Sequence, residues 1–387
     1  MSCGLRLEHA GESHGPALVG LLDGVPSGLM LDRKLIVEHM LRRLHCLGRG
    51  KRARSIETDE VQLLSGVRRG QTTGEPIAIQ VANRDFAAWE QTRGAWAEPA
   101  VDPQPITVPR PGHADYAGWA RSGGDIRETI ERASARFTTL DVAAGALIRP
   151  LLSEFGIRIY SLTLAIGAVR ARWRKIDSER VLQHAATDEA AGPSRSFLSA
   201  ASAEVEAATL RGDTLGGSAA VVCLGVPAGL GGIGPSAQRI DARLGAALLG
   251  VPSIRAVELG DAYLQSELPG SKAQDRFIPP LEGRSVRRSG NLSGGIEGGM
   301  TNGQPLIVRF AVRPVPSVAK PKRSIDLQTG MVVSGRYERS DVCVVPAAAR
   351  VAEARVALEL ASALLQRCGG RSMPEVRRAW NDWQGGG

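Results

Sequence analysis

Nowhere does the chain run twenty apolar residues without interruption, so no membrane-spanning helix is expected. Its opening, "MSCGLRLEHAGESHG", lacks the apolar core of a secretory signal, and the expected location is the cytoplasm. Cysteine is sparse. Residues 3, 46, 223, 343 and 368 are odd in number and form no C-x-x-C, which fits a reducing compartment without a disulfide framework or a zinc site. The six histidines make neither H-x-H nor H-E-x-x-H, so no metal centre is expected. Aromatic residues are only 4% and no continuous basic arm is present, which ranks nucleic acid below a small anion as partner.

What the chain has in excess is arginine. Of 48 basic residues only six are lysine, leaving 42 arginines and a net charge of +8. A GC-rich genome produces the same bias, but guanidinium forks also match carboxylates and phosphates. No linker divides the 387 residues, so a single domain over 1–387 is expected, with a short C-terminal tail at 369–387.

Strand patterns occur at 17–25, 76–83, 157–169, 218–226, 255–263 and 305–313. Helical patterns occur at 32–44 behind Asp32, from Asp125 along a stripe from Ile126 to Leu151, at 237–249, and at 346–370. Pro150 is expected to end or kink the second of these. Strands and helices come in blocks, which predicts an α+β fold with antiparallel sheets.

Two motifs mislead. Gly11-Glu12-Ser13-His14-Gly15 satisfies the hydrolase pattern G-x-S-x-G, but a strand follows the serine and too little chain precedes it for a nucleophile elbow. "GLGGIG" (229–234) satisfies G-x-G-x-x-G, but prolines flank it and no βαβ frame surrounds it, so it reads as a surface turn. More informative are two histidines framed by glycine and proline, His14 in "GESHGP" and His113 in "PRPGHADYAG". Such loops leave a ring accessible, and imidazole can donate a proton to a leaving group. Arg110, Arg132 and Arg136, with Arg339 and Asp341 near the C-terminal helix, complete the picture of an anion-binding enzyme that uses histidine acid chemistry.

At these residues the sequence resembles the chorismate synthase family. "GESHGPALVGLLDGVPSG", "ERASARFTTLDVAAGAL" and "RSDVCVVPAAARVAEA" look like its signatures, and further segments fall in the expected order over roughly 5–365. The resemblance implies a sandwich of helices between antiparallel sheets and a homotetramer. It also implies 1,4-elimination of phosphate from 5-enolpyruvylshikimate 3-phosphate with reduced FMN, giving chorismate. By the same resemblance His113 protonates the departing phosphate, His14 is an acid near the flavin, and Asp341 accepts a proton from it, with Ser13 and Ser134 as relays. Implied FMN contacts are Arg132, Ala133, Ser134, Pro252, Ser253, Gly298, Arg313, Pro314, Val315, Pro316, Ser317 and Arg339. Arg43 and Arg49 match positions for NADPH, or grip substrate anions with Arg110, Arg136 and Arg339. No reductase segment is evident, which implies an external source of reduced FMN. The chain departs from the family pattern at 44–47, at Phe137, in the 313–317 loop and at 264–284. A specialised paralogue acting on a related substrate is the alternative reading.

Overall fold

The structure is a computed structural model that describes residues 4–50, 59–96, 104–171, 178–279, 286–338 and 340–385. Two antiparallel sheets enclose a double layer of helices. The first sheet contains β1 (Arg6–Gly11), β2 (Ala17–Asp23), β3 (Val61–Leu63) and β4 (Ile77–Ala82), in the order β1-β2-β4-β3. The second contains β5 (Arg158–Ile166), β6 (Val169–Arg170), β7 (Gly217–Leu224), β8 (Ile254–Leu259) and β9 (Leu306–Val312), in the order β8-β9-β7-β5-β6. This is the α+β sandwich expected.

Side-chain alternation explains the layering. Leu18, Leu22, Ile77, Ile79 and Val81 of the first sheet are buried in the main core, while Val19 and Leu21 of the same strands remain exposed. In the second sheet the period of two splits each strand between two clusters. Ala219, Val221 and Cys223 join the main core, whereas Ala220 and Val222 join Leu162, Leu182, Ala185 and Ile307 in a smaller cluster on the outer face.

The inner helices are α1 (Arg33–Leu44), α2 (Thr138–Glu154), α3 (Ile240–Leu249) and α4 (Val345–Cys368). Asp32 caps α1 by accepting from the Lys34 amide at 2.8 Å, and Gly369 follows α4 with φ +67°. Gly145 on α2 lies against Ala354 on α4. A Cβ at 145 would stand 2.5 Å from the Ala354 Cβ and 2.7 Å from its Cα, so the two helices are as close as glycine allows.

Several expectations need correction. The helix beginning near Asp125 is not continuous. Arg127–Ala133 is helical, Ser134 is extended (φ −65°, ψ 137°), and α2 begins at Thr138 after a short 3₁₀ turn. The Ser134 hydroxyl accepts from the Arg136 amide at 3.3 Å, so local capping replaces the helical ladder there. Pro150 neither ends nor interrupts α2, which continues to Glu154 with Leu147, Ile148, Leu151 and Leu152 buried around it. Strand β8 stops at Leu259, and Ala262–Glu267 turns helical. The tail folds as a helix, Met373–Gly385, with Met373 and Val376 buried and Trp380 packed on Phe155. Among the described residues no helix is long and apolar enough to cross a membrane, and Cys46, Cys223, Cys343 and Cys368 are unbridged.

A charged cluster lies inside the helical layer. Glu353 of α4 meets Arg149 of α2 and accepts from Ser161 of β5 at 2.5 Å, while Arg42 of α1 and Arg350 each lie 3.6 Å away. Burial alone would push the Glu353 carboxyl up, but Arg149, Arg42 and Arg350 outweigh it and hold it well below the usual range. Nearby, burial and then the Arg149 charge push His39 down to about 2.

Two consequences can be measured. Gly145→Val forces branched atoms into the α2–α4 contact and should cost about 3 kcal/mol in denaturant unfolding; a variant as stable as the parent would contradict the packing described. His39 stays neutral in the folded state while the unfolded ring takes up a proton below about pH 6.5. Stability should therefore fall as pH drops, by about 1.4 kcal/mol from this group between pH 7.5 and 5.5. His39→Gln should remove that part of the slope, which urea titrations at the two pH values would detect.

Candidate active site

A cavity of about 540 Å³ opens where the loop after β1, the break at Ser134 and the segment before α4 converge. Its wall includes Ser13, His14, His113, Ser134 and Asp341, and also Arg43, Arg49, Arg110 and Arg136. Ala133, Pro252, Ser253, Arg313, Val315, Pro316 and Ser317 line it too. Residues scattered over more than 300 positions of sequence thus share one space.

Three expected contacts lie off this wall, and a fourth falls outside the described residues. Arg132 is not on the wall, because its guanidinium turns to the Gly11 carbonyl. Gly298 sits in the turn of the hairpin Ile296–Thr301, whose neighbour Gly299 packs on the Gly232 carbonyl. Pro314 packs against Gly216 rather than the cavity. Arg339 lies outside the described residues.

His14 is held from two sides. Its amide donates to Glu131 Oε2 at 2.8 Å, and its Nδ1 lies 2.9 Å from Glu131 Oε1. Trp89 meets the ring edge-on at 5.1 Å between centroids. The loop itself is tied by Asn83, whose amide donates to the carbonyls of Glu12 (3.2 Å) and Gly15 (2.7 Å). Ser13 and Ser134 are hydrogen-bonded through their hydroxyls at 3.1 Å.

His113 Nε2 lies 3.2 Å from Ser317 Oγ. Burial, then the Arg110 charge, lowers its pKa below the ordinary histidine value. Arg110 is in turn clasped by Asp115 through Nε (2.8 Å) and Nη2 (2.9 Å), and by Glu338 through Nη1. Asp341 accepts from Arg49 Nη1 at 2.8 Å and from the Gly50 amide at 2.7 Å.

Asp59 is the least accessible acid of the site. It accepts from Arg43 at 2.9 Å and from Arg136, with its side chain 1% exposed. Burial would raise its pKa, but Arg43 and then Arg136 prevail and hold it below the ordinary carboxylate range. One carboxylate therefore serves two guanidiniums. Among the described residues the wall carries six arginines (43, 49, 84, 110, 136 and 313) and four carboxylates (85, 115, 338 and 341), with Asp59 behind Arg43 and Arg136, so the described lining keeps a net positive charge. Ser253 adds backbone strain, with φ +72° in a residue other than glycine.

Such a wall suits a small guest with several negative charges beside two imidazoles and a carboxylate. Among the described residues no cluster of histidine, cysteine or acid is placed to hold a metal. Comparison with known proteins agrees with this chemistry: the chorismate synthase family pattern matches residues 5–365. The chain belongs to the chorismate synthase family. It is 40% identical over 382 residues to a chorismate synthase of Desulforamulus reducens, covering 98% of each chain. It is 43% identical to that of Streptomyces avermitilis, covering 97% of this chain and 96% of the other. A solved structure titled "Crystal Structure of Chorismate Synthase" aligns with a TM-score of 0.79 and 31% identity, over 99% of this chain and 98% of that one.

Sequence reasoning missed Asp59, Asn83, Asp115, Glu131 and Glu338. Asp115 and Glu131 stand beside residues that were singled out, and a search for acids flanking them would have found both. Asp59 has no local signal, since its partners are distant in sequence. Asp59→Asn leaves two guanidiniums around a neutral amide and should cost about 3 kcal/mol of stability. Denaturant unfolding would read this, and an unchanged midpoint would rule out the shared pairing.

Proposed function

We propose that this chain eliminates phosphate from 5-enolpyruvylshikimate 3-phosphate to form chorismate, with reduced FMN bound in the same cavity. The observation that carries this is the meeting of His14, His113 and Asp341 on one arginine-rich wall. The substrate bears two carboxylates and a phosphate, and FMN adds another phosphate, so the cationic surplus has a use. A cavity of about 540 Å³ is in the size range of small-molecule sites.

Reduced FMN supplies transient electron density and takes up hydrogen, which amino-acid side chains cannot do. Ala133, Ser134, Pro252, Ser253, Arg313 and Val315–Ser317 are the residues to hold it. Arg43, Arg49, Arg110 and Arg136 grip the substrate anions, and Arg43 and Arg49 are also the positions for NADPH. His113 donates a proton to the departing phosphate oxygen. In the free protein, burial and Arg110 favour its neutral ring; a bound phosphate offsets the Arg110 charge and restores the proton where it is needed. His14 acts as the second acid. Asp341, fixed by Arg49 and Gly50, is the proton acceptor, and the Ser13–Ser134 hydroxyl pair can pass protons along the wall. The same reading makes the protein a cytoplasmic homotetramer fed with reduced flavin by an external reductase; its unbridged cysteines suit that compartment.

Anaerobic incubation of the purified protein with substrate and reduced FMN should raise chorismate absorbance, with one phosphate released per product. Folded protein that forms none would overturn the proposal. His113→Ala should lower turnover roughly a hundredfold or more, and near-normal turnover would remove its assigned role.

A further inference from the structure

Beyond the two histidines and the late carboxylate, we infer that Glu131 is the positioning residue that fixes the proton of His14 on Nδ1 and presents Nε2 to the reaction. The inference rests on the function proposed above, in which His14 is an acid. Glu131 lies in the last turn of the helix Arg127–Ala133, where a negative charge opposes the helix dipole. Helix stability therefore does not account for it. Its side chain is 2% exposed, whereas that of His14 is 32% exposed.

Both carboxylate oxygens are directed at one residue. Oε2 takes the His14 backbone N–H at 2.8 Å and Oε1 lies 2.9 Å from Nδ1. An ionised carboxylate only accepts hydrogen bonds, so Nδ1 must carry the hydrogen in that pairing. The proton that changes hands is then on Nε2, the nitrogen on the far side of the ring. Two-point attachment also fixes the orientation of the ring, and Trp89 closes the edge through which it would rotate. The next residue, Arg132, donates to the Gly11 carbonyl, so the same helix end grips the loop at both Gly11 and His14. This accounts for Arg132 facing away from the cavity wall.

The test combines a spectroscopic readout with kinetics. In protein labelled with ¹⁵N-histidine and free of substrate, the neutral His14 ring should carry its hydrogen on Nδ1. Glu131→Gln cannot accept at both positions. Its amide oxygen should keep the backbone N–H while its NH₂ donates to Nδ1, which moves the ring hydrogen to Nε2. The variant should lose kcat roughly tenfold or more with KM for the substrate little changed. It should add little further loss in a His14→Ala background, because glutamine keeps an acceptor for the backbone N–H and what changes is the contact with the ring. A wild-type ring protonated on Nε2, or an equal kcat loss in the His14→Ala background, would overturn the inference. The first of these readings needs no variant to fold. Wild-type protein that makes no chorismate while its His14 hydrogen sits on Nδ1 and moves in the variant would refute the function and leave the clamp standing.

Discussion

Two buried guanidiniums converge on the carboxylate of Asp59, and the charged lining of the cavity is organised around that contact. Arg43 arrives from the last turn of α1 and Arg136 from the turn after Ser134, so the shared acid also joins two elements that meet only at the site. A buried cation is costly unless hydrogen bonds complete its coordination. Arg43 gains Thr138 at 3.1 Å, and Arg136 gains Asn83 at 3.3 Å. These neutral contacts orient the guanidiniums without cancelling their charge. Both side chains line the cavity, where they can meet an anionic guest.

The same pattern recurs deeper in the molecule with a different result. Glu353 gathers Arg42, Arg149 and Arg350, and so ties α1, α2 and α4 to one point beside Ser161 of the second sheet. Arg42 and Arg43 are neighbours in sequence yet serve opposite ends of this arrangement, one the core and the other the cavity. As a pair of charges at a helix C-terminus they look unremarkable. Their consequence comes from which carboxylate each one finds. The core cluster fixes the helices against one another, the close contact at Gly145 sets their spacing, and the site inherits both.

How much of this could be read from the sequence depended on the range of the interaction. Apolar strand patterns located β2, β4, β5, β7, β8 and β9 to within a few residues, and the apolar run from 346 located α4, because both signals are local; β1, whose residues RLEHAG are largely polar, was missed. The break at Ser134 was hidden because the apolar spacing continues across it; only the serine, a residue that competes with the helix for hydrogen bonds, hinted at an end. His14 and His113 stood out through their glycine and proline frames. Glu131 did not, since its bond to His14 joins positions 117 residues apart. Asp59 was invisible for the same reason. Asp115 binds Arg110 within five residues and was open to a local search, whereas Glu131 and Asp59 act on partners up to 117 and 77 residues away.

The departures from the family pattern can be weighed by where they fall. Phe137 turns towards His9, with ring centroids 5.7 Å apart, and is not on the cavity wall. In the 44–47 segment, Cys46 is buried and the Leu47 amide is bound to the Glu189 carbonyl at 2.9 Å. That segment leads into Gly48, whose carbonyl accepts from the Val342 amide at 3.0 Å, and so delivers Arg49 to Asp341. The described part of 264–284 contributes nothing to the wall. Among the described residues, the loop 313–317 is the departing segment that lines the cavity, and it does so beside strained Ser253, whose carbonyl accepts from the Arg313 amide at 2.9 Å. Charge recognition therefore rests on residues the departures leave in place. At 313–317 the departure reaches the guest directly, because valine, proline and serine shape the wall there beside the guanidinium of Arg313.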